Sequence, residues 1–159
     1  MAKLEGVVYQ DDNHYIEIKA TVFNDRGRNS AESKWGADFA ITASISDSKK
    51  TIDKAILVQA KMNVSDLKST SLFEQINKMK KITKSPKVMI LNPIDENLRD
   101  PFICSGNKIL ENNGFSKQRL STYFTTRILT TFDGDTRKQF VENVQDSTLT
   151  RIHLIAKTK

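Results

Sequence analysis

The residues of this sequence best suited to chemistry lie at the ends of two apolar runs. The first reads Trp35-Gly36-Ala37-Asp38-Phe39-Ala40-Ile41, with one carboxylate just after a Gly-Ala pair. The second reads Lys54-Ala55-Ile56-Leu57-Val58-Gln59-Ala60-Lys61 and closes its apolar stretch with an amide and an ammonium two residues apart. Successive side chains of a strand point to opposite faces, so Gln59 and Lys61 share a face and Ala60 points away. If the runs pair, Asp38 joins them, and a carboxylate, an amide oxygen and an ammonium meet in a small space. Such a set suits phosphodiester hydrolysis. A hard divalent cation takes oxygen ligands, offsets phosphate charge and lowers the pKa of a bound water. Asp38 is the natural metal ligand, the Gln59 carbonyl oxygen a weaker neutral one, and the backbone carbonyl of Ala60 a third. Lys61 can steady the attacking hydroxide and the charge that develops on the phosphate. Glu32, six residues before Asp38, offers a second carboxylate.

The surrounding pattern supplies elements to hold these groups. Residues 7–10 and 14–23 alternate as strands, with Tyr15, Ile16, Ile18, Ala20 and Val22 against Glu17, Lys19 and Thr21. Residues 24–31 are rich in turn formers and read as a loop that ends at Glu32. Strands over 37–46 and 54–62 flank the polar turn Ser46-Asp47-Ser48-Lys49-Lys50, which makes a hairpin. A helical period follows over 69–84, with Leu72, Phe73, Ile76, Met79 and Ile82 in one stripe. Ser69 or Ser71 offers its N-cap, Glu74 completes a capping box with Ser71, and Pro86 ends the helix. Residues 87–91 are a short buried strand, 93–100 a loop, and 101–110 a strand and turn. A helix over Leu120–Thr131 breaks at Phe132-Asp133-Gly134-Asp135, where Asp135 can cap a second helix over 136–145. Residues 149–156 finish as a strand or a helix. One α+β or α/β domain over residues 1–159 results, a mixed sheet with helices packed on it.

Composition narrows the function classes. A chain of 159 residues with 28% charged residues is large enough for a core without staples. No run approaches the roughly 20 apolar residues of a membrane span. The first residues carry no apolar signal core, so a cytoplasmic protein is expected. The single cysteine, Cys104, sits in an apolar stretch and reads as an inert buried thiol. His14 and His153 have no zinc-type spacing, and phosphate-loop, dinucleotide and nucleophile-elbow motifs are absent. The net charge of +6 suits a polyanionic partner. Arg26 and Arg28, in a Gly-containing loop, are the best placed for phosphate contact, and Lys34 and Lys78 are further candidates. The cluster Lys78, Lys80, Lys81, Lys84 and Lys87 reads first as a solvated face.

Gly36-Ala37-Asp38, a hairpin, Val58-Gln59-Ala60-Lys61, then a helix and a strand, resembles the PD-(D/E)xK nuclease superfamily in the variant with Gln in the last motif. The resemblance covers residues 28–91. It implies a restriction-endonuclease-like fold with a mixed central sheet flanked by helices, and Mg2+ or Mn2+ bound at Asp38, Gln59, Ala60 and Glu32. It implies Lys61 beside the attacking water, DNA as substrate with RNA left open, and a homodimer or partner protein. Gln75 on the following helix is similar to a helical Gln of some branches. Restriction, phage defence or DNA repair are the settings it suggests. The alternative is a catalytically degenerate nucleic-acid-binding or interaction module on the same fold, because Gln59 removes one charge from the metal site. Each motif residue also has a plainer role, Asp38 as a strand-end cap and Lys61 as an exposed charge. Against this, Gln59 and Lys61 close a run of apolar residues, where a polar pair needs partners.

Overall fold

Two hairpins with the same turn device supply half of the sheet's strands. The computed structural model describes residues 2–24, 27–91, 100–112, 117–130 and 133–159. Strand β1 (Ala2–Gln10) pairs antiparallel with β2 (His14–Val22), and Asp11 Oδ1 accepts from the amides of Asn13 at 2.8 Å and His14 at 2.7 Å. Strand β3 (Phe39–Ser46) pairs antiparallel with β4 (Thr51–Lys61), and Asp47 Oδ1 accepts from Lys49 N and Lys50 N, both at 2.8 Å. In each case an Asp side chain closes the turn by bonding the backbone ahead of it. A 3₁₀ turn (Val64–Lys68) and helix α2 (Thr70–Lys80) then cross over to β5 (Lys87–Ile90), which lies parallel to β4. Strands β6 (Phe102–Ser105) and β7 (Gln118–Arg119) extend that edge antiparallel. The segment left open as strand or helix is a strand, β8 (Thr150–Thr158), inserted between β2 and β3. Both its sides find partners, antiparallel to β2 and parallel to β3. The order is β1-β2-β8-β3-β4-β5-β6-β7, so the expected mixed sheet with helices is observed.

The sheet buries a different residue set on each face. Ala40, Ala55, Leu57, Val88, Ile90 and Cys104 meet Leu72, Ile76 and Met79 of α2, along with Val141 and Val144 of α5 (Lys138–Asp146). The alternate residues Ile41, Ile56, Val58, Met89, Ile103 and Leu154 meet Tyr123 and Ile128. Burying side chains such as Leu72 and Ile76 contributes about 1.5–3 kcal/mol each. The stripe read from the helical period is therefore the packed face of α2. Cys104 is buried as expected, and burial pushes its thiol up to about 11, which keeps it inert.

Several boundaries differ from expectation for identifiable reasons. Helix α2 is capped by Ser69, whose Oγ accepts from Leu72 N at 3.3 Å; Ser71 and Glu74 form no box, and the helix stops at Lys80, well before Pro86. The turn expected after β6 is a short helix, α3 (Gly106–Leu110). The helix expected from Leu120 is α4 (Leu120–Tyr123) continued by a π-helical turn (Phe124–Ile128). Asp135 does not cap α5. It pairs through its backbone with Ala55 of β4, and its carboxylate takes Arg137 and Thr83. The other end of α5 is closed by Arg151 of β8, whose Nη1 donates to the carbonyls of Val144, Gln145 and Ser147. The expected loop over 93–100 lies mostly outside the described residues. No described helix is long and apolar enough to cross a membrane.

Candidate active site

Asp38 reaches its position through a glycine-terminated helix. Ser30 caps α1 (Ala31–Trp35), its Oγ accepting from Ser33 N at 3.1 Å. Gly36 then turns the chain at φ 72° and donates to Glu32 O, which stops the helix and aims Ala37 and Asp38 into β3. A Cβ at Gly36 would sit 2.5 Å from Gln75 O, so glycine also lets α1 approach α2. Gly36→Ala is accordingly expected to cost about 1–3 kcal/mol, through the left-handed backbone and the clash. Urea denaturation checks this; an unchanged midpoint would contradict it.

The β3–β4 ladder runs one residue beyond β3, since Asp38 N donates to Val58 O at 2.9 Å. With Phe39 opposite Val58, Asp38 lies opposite Gln59. Strand parity puts Asp38, Gln59 and Lys61 on the face that carries Leu57 and α2. Asp38 Oδ2 accepts from Gln59 Nε2 at 2.5 Å and from Ala60 N at 2.7 Å. Gln59 Nε2 also donates to Ala60 O at 3.2 Å. The orientation of this amide follows from its neighbour, because turning it over would set two acceptor oxygens against each other. Gln59 is 3% exposed, and its Oε1 is buried with no hydrogen-bond donor among the described residues. Leaving such an oxygen unsatisfied costs about 1–3 kcal/mol. Lys61 is partly exposed and makes no ion pair or side-chain hydrogen bond among the described residues.

Glu32 is not at a loop end, as expected, but in the first turn of α1, where a carboxylate favours the helix N-terminus. It lines a cleft of about 550 Å³ with Ser30, Ser33, Gly36, Gln75 and Lys78. The lining does not include Asp38, Gln59 or Lys61, and among the described residues no three Asp, Glu, His or Cys groups converge. Glu32 is thus on the same side of the sheet as Asp38 but outside a carboxylate cluster. Gln75 Oε1 is a second buried amide oxygen without a donor among the described residues, in the wall between α1 and α2. Lys78 Nζ donates to Ser33 O at 3.1 Å, tying α2 to α1. Arg28 and Lys34 are exposed near the cleft residues in sequence; Arg26 lies outside the described residues.

One polar centre was missed. Asp133 Oδ2 holds Lys87 Nζ at 2.7 Å and Tyr123 OH at 2.8 Å, while Oδ1 takes Ser85 OH and Gly134 N, both at 2.9 Å. Lys54, 1% exposed, donates from Nζ to Asp133 O at 2.8 Å. Lys87 is therefore not part of a solvated basic face; it is 9% exposed and ion-paired. The signal in the sequence was that Lys54 and Lys87 each directly precede a run of apolar residues, where an ammonium needs an acceptor. His153 is half-buried with Nδ1 2.6 Å from Thr42 Oγ1, and His14 contacts Asp11, consistent with structural roles for both.

No family model, no curated protein and no solved structure matches this chain.

Proposed function

We propose that the chain is a divalent-metal-dependent nuclease that hydrolyses phosphodiester bonds in DNA from the Asp38 end of the β3–β4 hairpin. The observation that carries this reading is the Gln59 amide set against the Asp38 carboxylate, its Oε1 buried with no donor among the described residues, and Lys61, which makes no ion pair or side-chain hydrogen bond among them, next on the same face. A cation is the natural partner for an amide oxygen that no donor satisfies. The order α1–β3–β4–α2–β5, with β4 parallel to β5, supports the resemblance to the PD-(D/E)xK superfamily.

The donor set fits Mg2+ or Mn2+, which are bound through one or two carboxylates and completed by water and phosphate oxygens. Asp38 and the Ala60 carbonyl would hold the ion; Gln59 turns Nε2 to both of them, so its Oε1 would join only with the amide turned over, and Glu32 on α1 is the further carboxylate of the same proposal. When bound, it supplies Lewis-acid polarisation of the phosphate and a more acidic water. The protein's own part is orientation and charge. Two donors on Asp38 Oδ2 fix the carboxylate plane and leave Oδ1 without a donor among the described residues. Lys61, with no acid paired to it among the described residues, offers its ammonium to the scissile phosphate as negative charge builds there. Arg28, Lys34 and Lys78 hold the backbone, and Arg26 extends that set in sequence. A homodimer or partner protein and a cytoplasmic setting belong to the same proposal.

The test is incubation of the purified chain with plasmid, linear and single-stranded DNA and with RNA, in Mg2+, Mn2+ or EDTA. Metal-dependent cleavage of DNA is expected; binding of nucleic acid without cleavage in either metal would favour the degenerate module. A stability measurement probes the Gln59 contact separately. Gln59→Glu sets a second carboxylate where Nε2 now donates, and in EDTA it should cost about 1–3 kcal/mol. Two carboxylates in contact share one proton, so the deficit grows from acidic to neutral pH. Mn2+ should restore the variant's Tm by more than it raises that of the wild type. Equal Tm values with no metal response would contradict the assignment.

A further inference from the structure

The Asp133 centre borders a cavity of about 330 Å³ on the sheet face opposite Asp38. Lys87, Lys108, Arg127, Tyr123, Ser105 and Asp133 line it. Its charges do not balance. Asp133 is the one carboxylate in the lining among the described residues, and its two oxygens already take four donors, from Lys87, Tyr123, Ser85 and Gly134. It is therefore saturated and has no lone pair left for a metal. Lys54, held by the carbonyl of the same residue, adds a further buried cation to the loop. Lys108 and Arg127 make no ion pair or side-chain hydrogen bond among the described residues, and the Ser105 hydroxyl has no partner there either.

We propose that this cavity binds a phosphomonoester, with Arg127, Lys108 and Ser105 on the phosphate oxygens and Lys87 at the floor. The shape of the donor set favours phosphate over a carboxylate. An Arg fork matches two phosphate oxygens, two ammonium groups act as point charges, and a hydroxyl completes the third oxygen. Lys87 uses one of its three donors on Asp133 and is held against the Tyr123 ring, its Nζ 5.7 Å from the centroid, so its position is set before a ligand arrives. The π-helical turn carries Arg127 on the cavity wall while burying Ile128 beneath it. The volume is about ten waters' share of liquid, which leaves room for a sugar beyond the phosphate. Two sources present this chemistry, a free nucleotide and the 5′ end of a nucleic-acid strand.

Calorimetry on the full chain in EDTA separates this cavity from the proposed metal site. The probes are inorganic phosphate, a nucleoside 5′-monophosphate, the unphosphorylated nucleoside, and one short DNA oligonucleotide with a 5′-phosphate or a 5′-hydroxyl. The phosphorylated probes should bind and the nucleoside should not. Arg127→Ala and Lys108→Ala should each weaken binding roughly tenfold or more. Both residues are exposed, so circular dichroism should show an unchanged fold. Asp38→Ala should leave the affinity as it is. Tighter binding of the 5′-phosphorylated oligonucleotide than of the mononucleotide identifies a strand end as the ligand; equal binding identifies the free nucleotide. The proposal is overturned if no phosphorylated probe binds at millimolar concentration, if the two cavity variants change nothing, or if Asp38→Ala removes the binding.

Discussion

Asp38→Ala should lower metal-dependent cleavage by roughly a thousandfold or more, and Asp38→Asn should do nearly as much while retaining more of the native stability. The carboxylate is the one anionic group among the three proposed oxygen ligands at the hairpin end. Without it the cation keeps only the neutral Gln59 and Ala60 oxygens. The two variants separate chemistry from folding. Alanine leaves Gln59 Nε2 and Ala60 N without their shared acceptor, which costs about 1–3 kcal/mol. Asparagine keeps an acceptor oxygen within reach of Ala60 N and removes the charge alone. Lys61→Ala is the complementary case. Its side chain has no partner to lose among the described residues, so stability should stay within about 0.5 kcal/mol while cleavage falls about a hundredfold. Single-turnover cleavage and urea denaturation on the same preparations read both quantities. Wild-type cleavage in either Asp38 variant or in Lys61→Ala would sink the assignment.

Asp133→Ala should be the most destabilising of these changes, by about 3–5 kcal/mol, because it leaves Lys87 buried without its counter-charge. The side chains of Lys87 and Asp133 are 11% and 17% exposed, so water replaces little of what is lost. The same centre should show in the acid limb of stability. Burial pushes the Asp133 carboxyl up, but Lys87 and the hydroxyls of Tyr123 and Ser85 outweigh it and hold the group below its ordinary 3.8. A carboxyl with a lowered folded-state pKa stabilises fully above the unfolded value, and that contribution is lost as pH falls through the folded one. The difference in stability between wild type and Asp133→Asn should therefore shrink as pH falls below 3.8. Urea midpoints at neutral pH and near pH ~3 test this; a pH-independent difference would contradict it.

The legible part of this fold is the part governed by short periods. Alternation marked β2, apolar density marked β3 and β4, the stripe of Leu72, Ile76 and Met79 marked α2, and a polar turn between two runs marked the central hairpin. Strand parity sufficed to put Gln59 and Lys61 on one face, and pairing of the two runs to bring Asp38 beside them; its place opposite Gln59 comes from the register of the folded hairpin. What escaped depends on contacts distant in sequence or on elements too short to show a period. Helix α1 has five residues, and its cap, Ser30, lies in a stretch of turn formers, so Glu32 read as a loop residue. The tie between Lys87 and Asp133 joins β5 to the segment before α5, and charge spacing alone grouped Lys87 with exposed lysines. Asp135 looked like a cap because it precedes a helix, yet its backbone bridges β4 instead. Strand β8 was ambiguous because only the presence of both neighbours, β2 and β3, selects the extended form.

The most direct measurement is calorimetric titration of Mn2+ into the chain without nucleic acid, comparing wild type, Asp38→Ala and Lys61→Ala. The account predicts a Mn2+ site in the wild type that is retained in Lys61→Ala and lost in Asp38→Ala. No binding in the wild type, or binding that Asp38→Ala leaves unchanged, would contradict a metal centre at the end of the β3–β4 hairpin.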